Sequence, residues 1–362
     1  MKHPKHPLSV ALCALALLLC LCACGSAAGG SVPSPVPTAP AAAVQGTLSV
    51  QFLDVGQADC VLLRQGAHAM LVDAGNNDDA DFIVEALSAQ GVTSLEWVVG
   101  THPHEDHIGS LDAVIRQFEV QHVLMPKVQA NTRTFEDVLD AVADKGLKIT
   151  APTVGAQFAL GGAQVTVLGP AADYGDETNN WSVGLRVTYG DTAFVLCGDA
   201  EARAEGDMLD TGLPLSADVL KLGHHGSSTS TSDAFLAAVH PSAVVISCGA
   251  DNAYGHPHAQ TLQKVTGLSV YRTDTQGAVT AISDGQTVRF ETQRGGAATA
   301  APQGTQAPAA QQVYVLNTKT RKFHLPGCSG AGQIAAGNRA ESALSRQALL
   351  AQGYTPCGVC NP

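Results

Sequence analysis

The sequence predicts an αββα sandwich, an α/β arrangement of two facing sheets with helices on both outer faces, followed by a small α+β unit. Three observations predict it. Short apolar strands come first and strand–helix units follow, an order that favours two packed sheets over one parallel sheet. Residues able to do chemistry recur at strand ends, where a layered fold presents its loops. Near residue 295 the composition shifts to Ala, Gly, Gln, Pro and Thr, and a short Cys-bearing tail follows.

The elements follow in order. Residues 48–53 alternate and read as a strand, 54–57 as a turn, and 60–63 as the next strand. Residues 69–72 form a third strand, ending at Asp73-Ala74-Gly75. Residues 79–90 have helical spacing, with Phe82, Ile83, Ala86 and Leu87 on one face. The apolar run 95–100 is a buried strand. Residues 108–118 are helical, with Leu111, Val114 and Ile115 facing the core. A strand at 120–125 and a helix at 135–144, stopped at Gly146, come next. Further strands fall at 164–168, 183–187, 194–196 and 243–247.

The chain has a net charge of -12 at pH 7, so bulk attraction to nucleic acid is not expected. The N-terminal residues 1–6 are basic, and the apolar run 8–21 is too short for a comfortable membrane span. Leu21-Cys22-Ala23-Cys24 resembles a bacterial lipobox, which implies cleavage before Cys24 and a lipid on its sulfur. Residues 1–23 are thus expected to be a lipoprotein signal and 24–46 a disordered tether. The body, 47–294, would sit outside the bacterial cell membrane, held to it by that lipid.

Thr101-His102-Pro103-His104-Glu105-Asp106-His107 packs three imidazoles and two carboxylates into seven residues. Period-two alternation puts His102 and His104 on one side of an extended segment, and Asp106 and His107 follow as the chain turns. Such a cluster divides between two metal ions, His102 and His104 on one and Asp106 and His107 on the other. Imidazole and carboxylate suit zinc, with manganese as the alternative. Other strands end in Asp73, in Cys197-Gly198-Asp199, and in Gly223-His224-His225-Gly226.

In this order the motifs resemble the metallo-β-lactamase superfamily. More narrowly they resemble ComEC-type hydrolase domains of DNA uptake, over about residues 47–292. The matching pieces are Phe52-Leu53-Asp54-Val55-Gly56-Gln57-Ala58-Asp59, Asn179-Asn180-Trp181-Ser182-Val183, His224-His225-Gly226-Ser227, Tyr254-Gly255-His256-Pro257-His258 and Arg272-Thr273-Asp274. The resemblance implies a metal-dependent hydrolase, a phosphodiesterase or nuclease acting on DNA or nucleotides. Asp199 would bridge two metals, His224 or His225 would complete the second, and Asp73 would orient a ligand. A water on such a metal ionises near about pH 7 and becomes the nucleophile.

One departure stands out. Many superfamily members place a ligand His where this chain has Asn179-Asn180. Asn180 either caps a turn or meets the metal through a water. His256, in a loop near the site, either binds substrate phosphate or polarises a leaving group, or else hydrogen-bonds its own loop. Two other functions stay open: hydrolysis of a different ester or amide, and non-catalytic binding of DNA or metal at the cell surface.

After a linker at 295–311, the unit at 312–362 carries His324, Cys328, Cys357 and Cys360. Two close pairs at this separation read as one structural zinc, with a disulfide as the alternative. A unit this small, with few large apolar side chains, needs such a staple. It resembles the Ada-type zinc-binding domain through residues 315–320, 323–328 and 351–360. In that family the first ligand is a methyl-accepting Cys. Here it is His324, so methyl transfer is not expected.

Overall fold

The computed structural model describes residues 45–296, 299–300, 313–325, 328–342, 344, 349 and 352–357. The signal segment, Cys24, nearly all of the expected tether, most of the linker and Cys360 lie outside these residues.

The chain opens with a meander of β1 (Leu48–Phe52), β2 (Val61–Gln65) and β3 (His68–Val72). Then α1 (Ala80–Ala89) crosses to β4 (Ser94–Val99), which pairs parallel to β3. Next come α2 (Glu105–Ile108), α3 (Leu111–Gln117), β5 (Glu119–Leu124), α4 (Arg133–Asp144) and β6 (Ile149–Thr150). The second sheet begins with the antiparallel run β7 (Gln157–Leu160), β8 (Ala163–Val167), β9 (Leu185–Tyr189) and β10 (Thr192–Leu196). It turns parallel through α5 (Ala202–Asp210), β11 (Val219–Lys221), α6 (Asp233–Val239), β12 (Ala243–Ile246), α7 (Ala259–Lys264) and β13 (Ser269–Arg272). After α8 (Thr273–Gln276) the chain returns to the first sheet as β14 (Val279–Ser283) and β15 (Val288–Thr292), and β16 (Thr299–Ala300) pairs with β13.

The strand orders are β15-β14-β1-β2-β3-β4-β5-β6 and β16-β13-β12-β11-β10-β9-β8-β7. Three apolar layers follow from these two sheets. One joins the first sheet to α1, α3 and α4 through Ile83, Leu87, Val114 and Val138. The middle layer lies between the sheets, around Phe52, Met70, Val187 and Phe194. The third joins the second sheet to α5, α6 and α7 through Met208, Phe235 and Leu262. This is the αββα sandwich. Among the described residues no helix is long and apolar enough to cross a membrane.

Two local expectations are corrected. The helix expected at 108–118 starts only at Leu111, as α3; α2 is a separate turn before it, and Gly109 between them packs directly on another loop. A Cβ on Gly109 would lie 2.2 Å from the carbonyl carbon of Asn76, and its N–H donates to Gly75 O at 2.9 Å. Phe82 is 49% exposed rather than buried with Ile83 and Leu87, which are both 0% exposed. Their i, i+4 spacing defines the core stripe, and Phe82 falls on its solvent side.

The C-terminal residues form a sheet of order β19-β17-β18-β20, from β17 (Tyr314–Asn317), β18 (Lys322–His324), β19 (Arg339–Ser342) and β20 (Thr355–Pro356). A short α9 (Ser329–Gly332) follows β18. Tyr314, Leu316, Phe323, Leu349 and Tyr354 make its small core.

Candidate metal centre

The centre lies where the loops after several strands meet. β3 ends at Asp73, β4 leads into Thr101 and His102, β10 into Asp199, and β11 into His224 and His225. Backbone hydrogen bonds lock these loops together. Asp73 N donates to Val99 O at 2.8 Å, Ala74 N to His107 O at 2.7 Å, Val183 N to Thr101 O at 2.9 Å, and His224 N to Gly198 O at 3.2 Å. Gly198 has φ +49, and a Cβ there would meet Thr101 Oγ1 at 2.8 Å, so only glycine lets the Asp199 loop pass this close.

Asp106 and His107 sit on the single turn of α2, which brings both into the cluster, and Asp106 also lines the cavity. One ligand-type atom from each of Asp106, His107, Asp199 and His225 lies within 4.8 Å of the others. His225 Nε2 is 3.2 Å from Asp106 Oδ2 and 3.7 Å from Asp199 Oδ2. His107 Nε2 is 3.2 Å from Asp199 Oδ1, yet both atoms are buried and complete no hydrogen bond. Misaligned lone pairs converging in a buried space are what metal ligands show without their ion. The donor set therefore fits a divalent cation.

The structure separates the two adjacent histidines. The His225 side chain is 2% exposed, joins the cluster, and has its Nδ1 3.0 Å from Ser247 O. His224 stands at the rim, its Nδ1 3.2 Å from Thr229 Oγ1 and 3.5 Å from Glu201 Oε1. Both carry left-handed backbone, φ +51 and +52, a strain on the order of 1–3 kcal/mol each that the surrounding loops hold in place.

His102 and His104 form a pair beside the cluster, with His102 Nε2 3.0 Å from His104 Nδ1. Ser182 Oγ and Thr101 Oγ1, both 3.3 Å from His102 Nδ1, fix that ring. Asp73 stands behind His107. Its carboxylate lies 2.8 Å from His107 Nδ1 and accepts from Thr101 N at 2.7 Å and from Thr101 Oγ1 at 2.8 Å.

The Asn180 side chain is tied into the turn. Its Oδ1 accepts from Glu201 N at 3.0 Å and its Nδ2 donates to Glu177 Oε2 at 3.0 Å. Asn179 is the neighbour that lines the cavity. That cavity is about 530 Å³ and is also lined by Gln57, His104, Glu105, Tyr254 and His256. Asp59 and Lys221, behind the imidazoles, were not singled out from the sequence, although Asp59 lies inside a quoted motif and Lys221 ends the strand before His224.

Burial disfavours the His107 cation, yet Asp199, Asp73 and Asp106 raise its pKa well above the ordinary value. Burial pushes the Asp199 carboxyl up, but His107 and His225 hold it well below the usual range. Burial, with the neighbouring His107, keeps His102 neutral. His256 is lowered to about 4, by burial first and then by His258, His224 and His225. The remaining thiols of the body, Cys60, Cys197 and Cys248, are buried and free.

In the C-terminal sheet, Cys328 Sγ lies 3.7 Å from His324 Nδ1 and 4.0 Å from Cys357 Sγ. These separations match the edges of a zinc tetrahedron with bonds of about 2.3 Å, and they are too long for a disulfide.

Comparison with known proteins agrees with the fold. Residues 53–250 match the profile described as the Metallo-beta-lactamase superfamily. The chain is 32% identical to "ComE operon protein 3" of Bacillus subtilis (strain 168) over 199 residues, 54% of this chain and 26% of that protein. It is 31% identical to "Competence protein ComA" of Neisseria gonorrhoeae over 244 residues, 66% of this chain and 33% of that one. The chain thus spans between a quarter and a third of these relatives. Among solved structures, the metallo-beta-lactamase fold protein YhfI from Bacillus subtilis superposes with a TM-score of 0.43 at 14% identity, covering 64% of this chain and 99% of that one. With a match over more than half its length and the metal-ready cluster at its strand ends, the chain belongs to the metallo-beta-lactamase superfamily, a family of metal-dependent hydrolases.

Proposed function

We propose that this protein is a surface-anchored phosphodiesterase or nuclease acting on DNA or nucleotides. The observation that carries the reading is the convergence of Asp106, His107, Asp199 and His225 at an open cavity of about 530 Å³, with His107 Nε2 and Asp199 Oδ1 unpaired. Oxygen and imidazole donors of this kind suit zinc, with manganese as the alternative. A bound ion supplies a Lewis acid and an activated water. The chain supplies the rest: Asp73 orients His107, and Gln57, Asn179 and His256 offer donors along the approach.

His102 and His104 have no third His, Cys, Asp or Glu of their own among the described clusters. This favours one tightly held ion, with any second ion weaker and sharing Asp199. The word competence in one relative's name supports nucleic acid as the substrate. The lipid at Cys24 would tether the domain outside the membrane. The tail would hold one structural zinc through His324, Cys328, Cys357 and Cys360, and Lys319, Arg321 and Lys322 beside it could touch phosphate.

Metal content by mass spectrometry, measured alongside hydrolysis of bis(p-nitrophenyl) phosphate and single-stranded DNA, tests the reading. Chelator-sensitive hydrolysis of both is expected. Turnover of nitrocefin without cleavage of either phosphodiester would move the substrate to the amide class. Metal binding with no turnover at all would leave a binding protein.

A further inference from the structure

Tyr254 is a large aromatic side chain left 69% exposed, and it lines the cavity over the metal cluster. Its ring lies nearly parallel to that of His256, with centroids 5.6 Å apart and planes 21° apart. His256 is in turn nearly parallel to His225, at 6.3 Å and 25°. Three rings therefore step from solvent down to the cluster with their faces aligned.

The loop that carries them is braced at several points. Asn252 Oδ1 accepts from His256 N at 2.9 Å, while Asn252 Nδ2 donates to His256 O at 2.6 Å and to Gly249 O at 2.9 Å. Gln57 Nε2 lies 3.2 Å from His256 Nδ1, and its Oε1 accepts from Gly249 N at 3.0 Å. His258 Nδ1 accepts from Ser228 N at 2.9 Å, and its Nε2 lies 3.2 Å from Tyr254 O. An exposed aromatic on a braced loop binds without first losing conformational freedom.

Among the described residues, the cavity lining contains no Lys or Arg. A reader of long duplex DNA neutralises many phosphates with such residues. Stacking of a single base on an aromatic face is a separate contact that itself uses no Lys or Arg.

We propose that Tyr254, stacked on His256, is a shelf for the nucleobase of the nucleotide whose phosphate sits at the metal cluster. The shelf selects single nucleotides and strand ends over duplex. The inference rests on the phosphodiesterase reading for the position of the phosphate, but not for the stacking itself.

The test measures binding of thymidine 5′-monophosphate and of methyl phosphate to the zinc-loaded full chain, by calorimetry, for the wild type and for Tyr254→Ala, Tyr254→Phe and Tyr254→Trp. The affinity ratio of the nucleotide over methyl phosphate should fall about tenfold in Tyr254→Ala, within the range that base stacking contributes. It should survive in Tyr254→Phe and Tyr254→Trp. With a thymidine p-nitrophenyl phosphodiester, the Tyr254→Ala change should appear in KM more than in kcat. An unchanged ratio in Tyr254→Ala overturns the shelf, even if the enzyme cleaves phosphodiesters. A Tyr254-dependent ratio in a protein that cleaves no phosphodiester keeps the shelf and overturns the catalytic reading.

Discussion

Lys221 Nζ lies 2.6 Å from Asp59 Oδ2, and both side chains are 2% exposed. This ion pair sits directly behind the metal cluster. Asp59 Oδ1 is 3.5 Å from His225 Nδ1, and Asp59 Oδ2 is 3.8 Å from His107 Nδ1. Asp59 thus faces the far side of two cluster imidazoles, and Lys221 balances its charge where water cannot.

Removing the cation alone should be costly. Lys221→Met leaves a buried carboxylate unpaired and should destabilise the protein by about 3–5 kcal/mol. The double variant Lys221→Met/Asp59→Leu should recover most of that loss, since apolar side chains of similar volume need no counter-charge. Urea unfolding of the three variants measures this. A Lys221→Met protein as stable as the wild type would show that the pair contributes nothing.

The cluster should discriminate His225 from His224. His225→Ala and Asp106→Ala should lower bound metal and abolish turnover while circular dichroism stays native, and His104→Ala should abolish turnover with a smaller loss of metal. His224→Ala should keep its metal. Asp73→Asn, which only misorients His107, should weaken metal affinity by about 10–100-fold. Equal metal loss from His224→Ala and His225→Ala would contradict the assignment.

The pH dependence of stability should carry a His256 contribution. Its folded pKa is lowered to about 4 from an unfolded value of 6.5. Between these values the unfolded chain binds more protons at this position than the folded one, so the contribution opposes folding as pH falls from about 6.5 towards about 4. His256→Gln removes that term. Its melting temperature should therefore fall less than the wild type's across this window, and parallel curves would count against it.

Cys24→Ser should release the protein from membranes into the medium. Fractionation of cells expressing each form reads this directly. Retention on the membrane with no lipid on a neighbouring Cys would rule the anchor out.

The tail should fold around its own zinc. A fragment of residues 312–362 should bind one ion and unfold when chelated. His324→Cys should keep the fold, because thiolate suits the same tetrahedral position, and His324→Ala should weaken zinc binding. Full folding in chelator would refute the staple.

Much of this protein was determined by the sequence itself. The strand-end Asp73, the compact His102-to-His107 spacing and the Gly198-Asp199 step are local patterns, and local spacing decides which side chains share a turn or a strand end. The αββα order was legible for the same reason, since alternation and helical spacing report which face each segment buries. The tertiary structure decided the rest. It buried the His225 ring beside Asp106 and left the His224 ring part-exposed, its Nε2 3.6 Å from Asp199 Oδ2. It tied Asn180 to Glu201 and Glu177, and left Phe82 on the solvent side of its helix. It paired Lys221 with Asp59 and brought His225 to Asp106 across 119 positions of chain. Contacts of that separation depend on how two sheets pack, and no local pattern of residues encodes which distant loops will meet.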